Sequence, residues 1–110
     1  APTLPVTQLT GAGAEFRDGF QESIGEGENI QVYTLYAATA AQVLLDAIAR
    51  SDGTREDIIT QVFATDLTDL ATGDMAFDEN GDPADGTEQL FKADGAQAKW
   101  VWEKSLTATE

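Results

Sequence analysis

The chain has no histidine and no cysteine. Serine and cysteine triads, histidine general-base chemistry and the common zinc sites all need one or the other. An autonomous enzyme of those kinds is therefore excluded, and the chain is not expected to be an enzyme. With no cysteine there is no disulfide, and the count does not choose between oxidising and reducing compartments. Basic residues are scarce: six Lys and Arg stand against twenty Asp and Glu, for a net charge of −14. Such a field repels phosphate backbones and anionic membrane surfaces, so nucleic acid is not an expected partner. The charge reads as a solubility device, or alternatively as adaptation to high salt, where it is screened. No run approaches the roughly eighteen consecutive apolar residues of a membrane span. No signal peptide is visible. The opening APTLPV lacks Met, and a leader or a larger preceding region is expected to have been removed.

What is present suits a folded domain. The 110 residues are 42% hydrophobic with nine aromatics. The dominant stretch is Tyr33 to Arg50, YTLYAATAAQVLLDAIAR. On a helical wheel Tyr36, Ala40, Leu44, Ala47 and Ile48 share one face, with Val43 beside them. Thr39, Gln42, Asp46 and Arg50 form one narrow polar stripe, and Ala37, Ala38, Ala41 and Leu45 fill the rest. A helix so widely apolar is expected to be buried among other elements.

Around it, Ala1 to Leu9 reads as an extended arm or edge strand, since Pro2 and Pro5 rule out a central strand. A helix follows to about Ile24, with Phe16, Phe20 and Ile24 on one face and Gly25 as its C-terminal stop. Ile30 to Tyr33 looks extended. After the central helix, Thr54 is an expected N-cap, with Glu56 and Asp57 in the first turn. Ile58, Ile59, Val62 and Phe63 give this third helix an apolar face, ending near Asp66. The period then changes to two: strands are expected at Thr72 to Asp78, Glu88 to Ala93 and Lys99 to Glu103, with a turn at Asp94-Gly95. The expectation for the chain alone is α+β, three helices plus short strands.

Three groups carry candidate chemistry. Asp78-Glu79-Asn80-Gly81-Asp82 places oxygens as a calcium loop does, but Pro83 stands where that loop needs glycine and Gln89 where it needs glutamate. A tight turn at Asn80-Gly81 is the better reading, and no metal or cofactor is expected. Tyr33 and Tyr36 sit where the central helix begins, next to its positive end, a place suited to an anionic group of a small ligand. Core packing of Tyr36 with its hydroxyl hydrogen-bonded is the other reading. Trp100 and Trp102 read as cross-strand packing.

Taken together, FRDGFQESIGE, VYTLYAATAAQVLLDAIARS, TREDIITQVFATDL, TGDMAFDENGDP and KWVWEK stand in an order and spacing that resembles a known family. From about Gly11 to Lys104 the chain resembles the C-terminal third of a type I periplasmic binding protein. It is similar in particular to the branched-chain amino acid (Leu/Ile/Val) substrate-binding proteins of ABC transporters. The Tyr-x-x-Tyr-Ala lead into the long helix and the TGDMAFDENGD turn carry most of the resemblance. Many relatives have a Tyr-Asp pair early in this helix; here Ala38 and Thr39 follow Ala37, so no role of that pair transfers. Family members are roughly three times as long, with two α/β lobes closing on a ligand.

The resemblance implies an α/β intact protein of which this chain is a C-terminal fragment. Residues 1–32 would belong to one lobe, 33–86 to the other, and 87–110 to return strands. It implies capture of a small solute, an amino acid foremost, for delivery to an ABC permease, in a periplasmic or extracellular setting where a lipoprotein anchor is an option. Tyr33 matches a cleft-lining position, with Thr34 and Tyr36 as secondary ligand-binding candidates. A fragment lacking its partner lobe is also expected to self-associate. The alternatives are a ligand-sensing or protein-interaction domain of the same architecture, or a self-contained acidic α+β module.

Overall fold

The computed structural model describes residues 4–96 and 99–107, so Ala1 to Thr3 of the expected arm lie outside the described residues. Three helices run in chain order: α1 (Gly11–Ile24), α2 (Val32–Arg50) and α3 (Arg55–Phe63). Four strands follow as two antiparallel hairpins, β1 (Asp66–Leu70) with β2 (Gly73–Ala76) and β3 (Thr87–Asp94) with β4 (Lys99–Thr107). The α+β reading of the chain holds. Several details differ from expectation. From Leu4 to Leu9 the chain makes a 3₁₀ turn at Val6–Gln8 rather than a strand. Helix α2 begins at Val32: Gln31 is extended as expected, whereas Val32 and Tyr33 are already helical. Strand β1 had no sequence signal, because Asp66, Thr68 and Asp69 make it too polar to read as a strand.

The core is small, and it lies on the face of α2 that carries Leu35, Thr39, Val43 and Ala47, all buried. Leu70 and Ala71 at the β1–β2 turn close it. This corrects the helical wheel. Of the stripe Thr39, Gln42, Asp46, Arg50, only Thr39 turns inward; Gln42 and Arg50 stay exposed, and each of the four has a backbone or side-chain partner. Thr39 Oγ1 accepts the Thr72 N–H at 3.1 Å and lies 2.9 Å from Thr72 Oγ1. Gln42 Oε1 accepts the Ala71 N–H at 3.3 Å. Arg50 pairs with Asp46 at 2.7 Å and donates to Gln61 Oε1 at 2.6 Å and to the Gln61 carbonyl at 2.8 Å, fixing α3 against the end of α2. Leu44, Leu45 and Ile48 are left exposed, Leu45 at 67%. By length and composition alone α2 is apolar enough to cross a membrane, with a mean hydropathy of 1.3. The expectation of a helix buried all round is not met.

The other helices are held by local chemistry. Asp69 of β1, with a φ of 54°, accepts the Ala12 N–H at 3.1 Å and so caps α1 from 57 residues away. Gly13 lies so close to the Ala71 carbonyl that a Cβ there would sit 2.8 Å from its oxygen. Phe16 and Phe20 stack at 5.6 Å. Gly25 ends α1 at a φ of 84°, which an L side chain rarely adopts, and its N–H returns to the Gln21 carbonyl. Thr54 caps α3 as expected, its hydroxyl accepting the Asp57 N–H at 3.2 Å. The expected apolar face of α3 is poorly covered, with Ile59 and Phe63 exposed.

The Asp78–Asp82 segment is a turn. Asp78 Oδ1 accepts the N–H groups of Asn80 at 2.8 Å and Asp82 at 2.9 Å. These two backbone donors, Asp82 first, hold the Asp78 carboxyl below its ordinary value of 3.8. Beyond the turn an isolated bridge joins Phe77 to Pro83, and the chain enters β3. The β3–β4 register runs from Thr87↔Thr107 to Asp94↔Lys99, with an irregularity between Leu90 and Phe91. Phe91 faces Trp102 and Ala93 faces Trp100. The expected turn at Asp94-Gly95 stands at the end of β3.

Candidate functional site

A groove of about 350 Å³ opens where α2, the β1–β2 hairpin and the β3–β4 hairpin meet. That is the small end of the roughly 300–1,000 Å³ range of ligand pockets. Each wall comes from a different element. Tyr36, one turn into α2, supplies an aromatic ring. Thr72, Asp74, Met75 and Ala76 come from the turn and return strand of the first hairpin. Pro83 and Asp85 come from the connection, and Thr87, Gln89 and Ser105 from the base of the second hairpin. Leu4 closes one end. Strand alternation puts Thr87 and Gln89 on one face of β3, and the register brings Ser105 opposite Gln89 on that same face.

The floor is tied together by hydrogen bonds. Gln89 is buried, and its Oε1 accepts both the Trp102 indole N–H and the Ser105 hydroxyl at 2.8 Å. Trp102 thus reports on the groove from behind it. On the opposite side Asp74 Oδ1 accepts the Asp69 N–H at 2.9 Å, which fixes one carboxylate oxygen at the hairpin. Among the described residues the lining carries two carboxylates, Asp74 and Asp85, and no lysine or arginine. The Ser105 hydroxyl donates to a neutral amide oxygen, far too weak a base to activate it. The chemistry this arrangement supports is non-covalent capture: carboxylates and hydroxyls for a polar end, Tyr36, Met75 and Pro83 for an apolar one.

Of the three residues proposed from sequence, Tyr36 lines the groove and Tyr33 and Thr34 do not. Tyr33 projects from the first turn of α2, 78% exposed, with its ring 6.1 Å from that of Tyr36. Thr34 is half-buried, and its N–H closes a turn onto the Gln31 carbonyl at 2.9 Å. Sequence reasoning missed Asp74, Asp85, Gln89 and Ser105. Asp74 was within view, inside the TGDMAFDENGD segment. Gln89 and Ser105 depend on a hairpin register that no local pattern specifies. Among the described residues no group of three or more His, Cys, Asp or Glu is placed to hold a metal ion. Comparison with protein-family models, with curated proteins and with solved structures gives no match to this chain.

Proposed function

We propose that the chain is the C-terminal part of a two-lobed extracytoplasmic solute-binding protein that captures a small solute, an amino acid foremost, for an ABC permease. The observation that carries this reading is the position of the groove. It lies where residues 33–86, expected to belong to one lobe, meet residues 87–110, expected to return to the other. Its walls combine an aromatic ring, hydroxyls and carboxylates, groups suited to holding a small solute.

Exposure adds support for the fragment. The surface area is 7739 Å², against about 5,900 Å² for a compact monomer of this mass. Exposed apolar side chains include Leu44, Leu45 and Ile48, which face outward on α2. A sheet of the absent lobe segments would cover that face in the intact protein.

The reading frame that encodes the chain tests this. About 200 further residues of alternating strands and helices ahead of Ala1, after a lipoprotein-type leader, are the expected result. A start codon immediately before Ala1 overturns it.

A further inference from the structure

The β3–β4 hairpin sorts its side chains by chemistry onto its two faces. The register passes from Leu90↔Lys104 directly to Phe91↔Trp102, which leaves Glu103 as an extra residue in β4. A bulge of this kind re-aims the side chains beyond it. Without it Phe91 would face Glu103 and Lys92 would face Trp102, on the side of the hairpin away from the groove. With it, Phe91, Ala93, Trp100 and Trp102 share the face of Thr87, Gln89, Ser105 and Thr107, and the Trp102 N–H reaches Gln89 across that face. None of these eight residues carries a formal charge. The opposite face takes Glu88, Lys92, Asp94, Lys99 and Lys104, and with them every lysine of the chain.

Cross-strand packing accounts for Trp102, which is half-buried and tied to the buried Gln89. It does not account for Trp100, which meets only the methyl group of Ala93 across the strands and is 73% exposed. Phe91 is 38% exposed on the same face, where Ser105 and Thr107 add exposed hydroxyls. Trp100 and Trp102 stand two residues apart along β4, about 7 Å, so the rings form a row that continues from the groove. Nucleobases stack on such rows, but a chain carrying −14 repels their phosphates. An extended peptide docks through its main chain on a strand edge, not on a face. A sugar ring suits the face on each count. It is uncharged, its polarised C–H groups meet the negative faces of aromatic rings, and its hydroxyls exchange hydrogen bonds with serine and threonine. We infer that this face docks a neutral oligosaccharide, with sugar rings stacked on Trp100, Trp102 and Phe91 and hydroxyls met by Ser105 and Thr107. The inference goes beyond solute capture in the groove and does not depend on it.

Two neutral hexamers, cellohexaose and maltohexaose, and their dimers cellobiose and maltose test the inference on the 110-residue chain. Binding is read by calorimetry and by indole emission. The expected result is that at least one hexamer binds with a blue shift, about tenfold more tightly than its dimer, because the longer ligand covers more than one ring. Trp100→Ala weakens that binding about tenfold and Trp100→Phe retains most of it. Val101→Ala, which trims an exposed side chain on the opposite face, leaves it within about twofold. Circular dichroism of Trp100→Ala stays that of the parent, since the ring it removes is largely in solvent.

Failure of both hexamers to bind overturns the inference and leaves amino-acid capture in the groove untouched. Equal loss in Trp100→Ala and Val101→Ala also overturns it, because the effect then belongs to the hairpin's folding and not to one face. A hexamer that binds no more tightly than its dimer overturns stacking along the row. A dimer of the chain that Trp100→Ala dissolves in light scattering, with no saccharide bound, overturns it in favour of a second copy as the occupant.

Discussion

Thr39 and Thr65 are both buried, and their hydroxyls do opposite things. Thr39 Oγ1 accepts the Thr72 N–H, so it anchors the β1–β2 turn to α2. Thr39→Val leaves that part-buried N–H without its acceptor and is expected to cost about 1 kcal/mol. Thr65 Oγ1 is buried with no hydrogen-bond partner among the described residues. Thr65→Val removes an unsatisfied group at nearly constant volume and is expected to be neutral or stabilising by up to about 1 kcal/mol. Urea unfolding of the two variants checks the contrast, and equal destabilisation would refute it. Gly13→Ala belongs with Thr39: its Cβ would press on the Ala71 carbonyl oxygen, a backbone atom that cannot swing away. The same residues show why sequence reading misplaced the inward face of α2. Hydropathy counts a threonine as solvent-facing, whereas Thr39 is buried against a backbone donor supplied by a turn about thirty residues later. Nothing local to the helix announces that turn.

Among elements, helices were the most legible. The caps at Thr54 and Gly25 are written in short-range side-chain chemistry, and both end or begin helices where expected. Strand β1 was not legible, since it is short, polar and defined by its partner β2. The groove was legible only at Tyr36, because its other walls come from strands whose register is set by long-range pairing. The Asp78–Asp82 turn makes a pH prediction. Its carboxyl is held below the ordinary value of 3.8, so its contribution is present above that value. It is lost as pH falls through the lower folded value. Amide shifts of Asn80 and Asp82 should therefore stay constant from pH 7 to about 4 and move together below that. Movement centred at or above pH 5 would contradict the two-donor account of this turn. The exposed face of α2 makes another prediction. Leu44, Leu45 and Ile48, all outward, should drive self-association of the 110-residue chain. The triple change to Gln should shift light-scattering mass toward the monomer with little loss of helix signal. A chain that is monomeric at every concentration before the change would argue against an uncovered face.

At the scale of the whole molecule, shape and charge dominate. The radius of gyration is 16.2 Å, against about 13 Å for a compact chain of this length. A flat, open form with a small core and a charge of −14 is stabilised weakly and repels itself. Salt screens that repulsion, so the melting temperature should rise steadily between low salt and 1 M NaCl, where the screening length is about 3 Å. A flat or falling dependence would show that the acidic groups are too dispersed to matter.

The central claim, that half of a ligand cleft is built here, meets its most direct test in calorimetry. The 110-residue chain and the product of its whole reading frame are titrated side by side with leucine, isoleucine, valine and other amino acids. The account predicts micromolar binding of at least one amino acid to the whole product, weakened at least tenfold by Tyr36→Ala, and nothing tighter than millimolar for the chain alone. Micromolar binding to the chain alone, or binding to the whole product that ignores Tyr36→Ala, would contradict it.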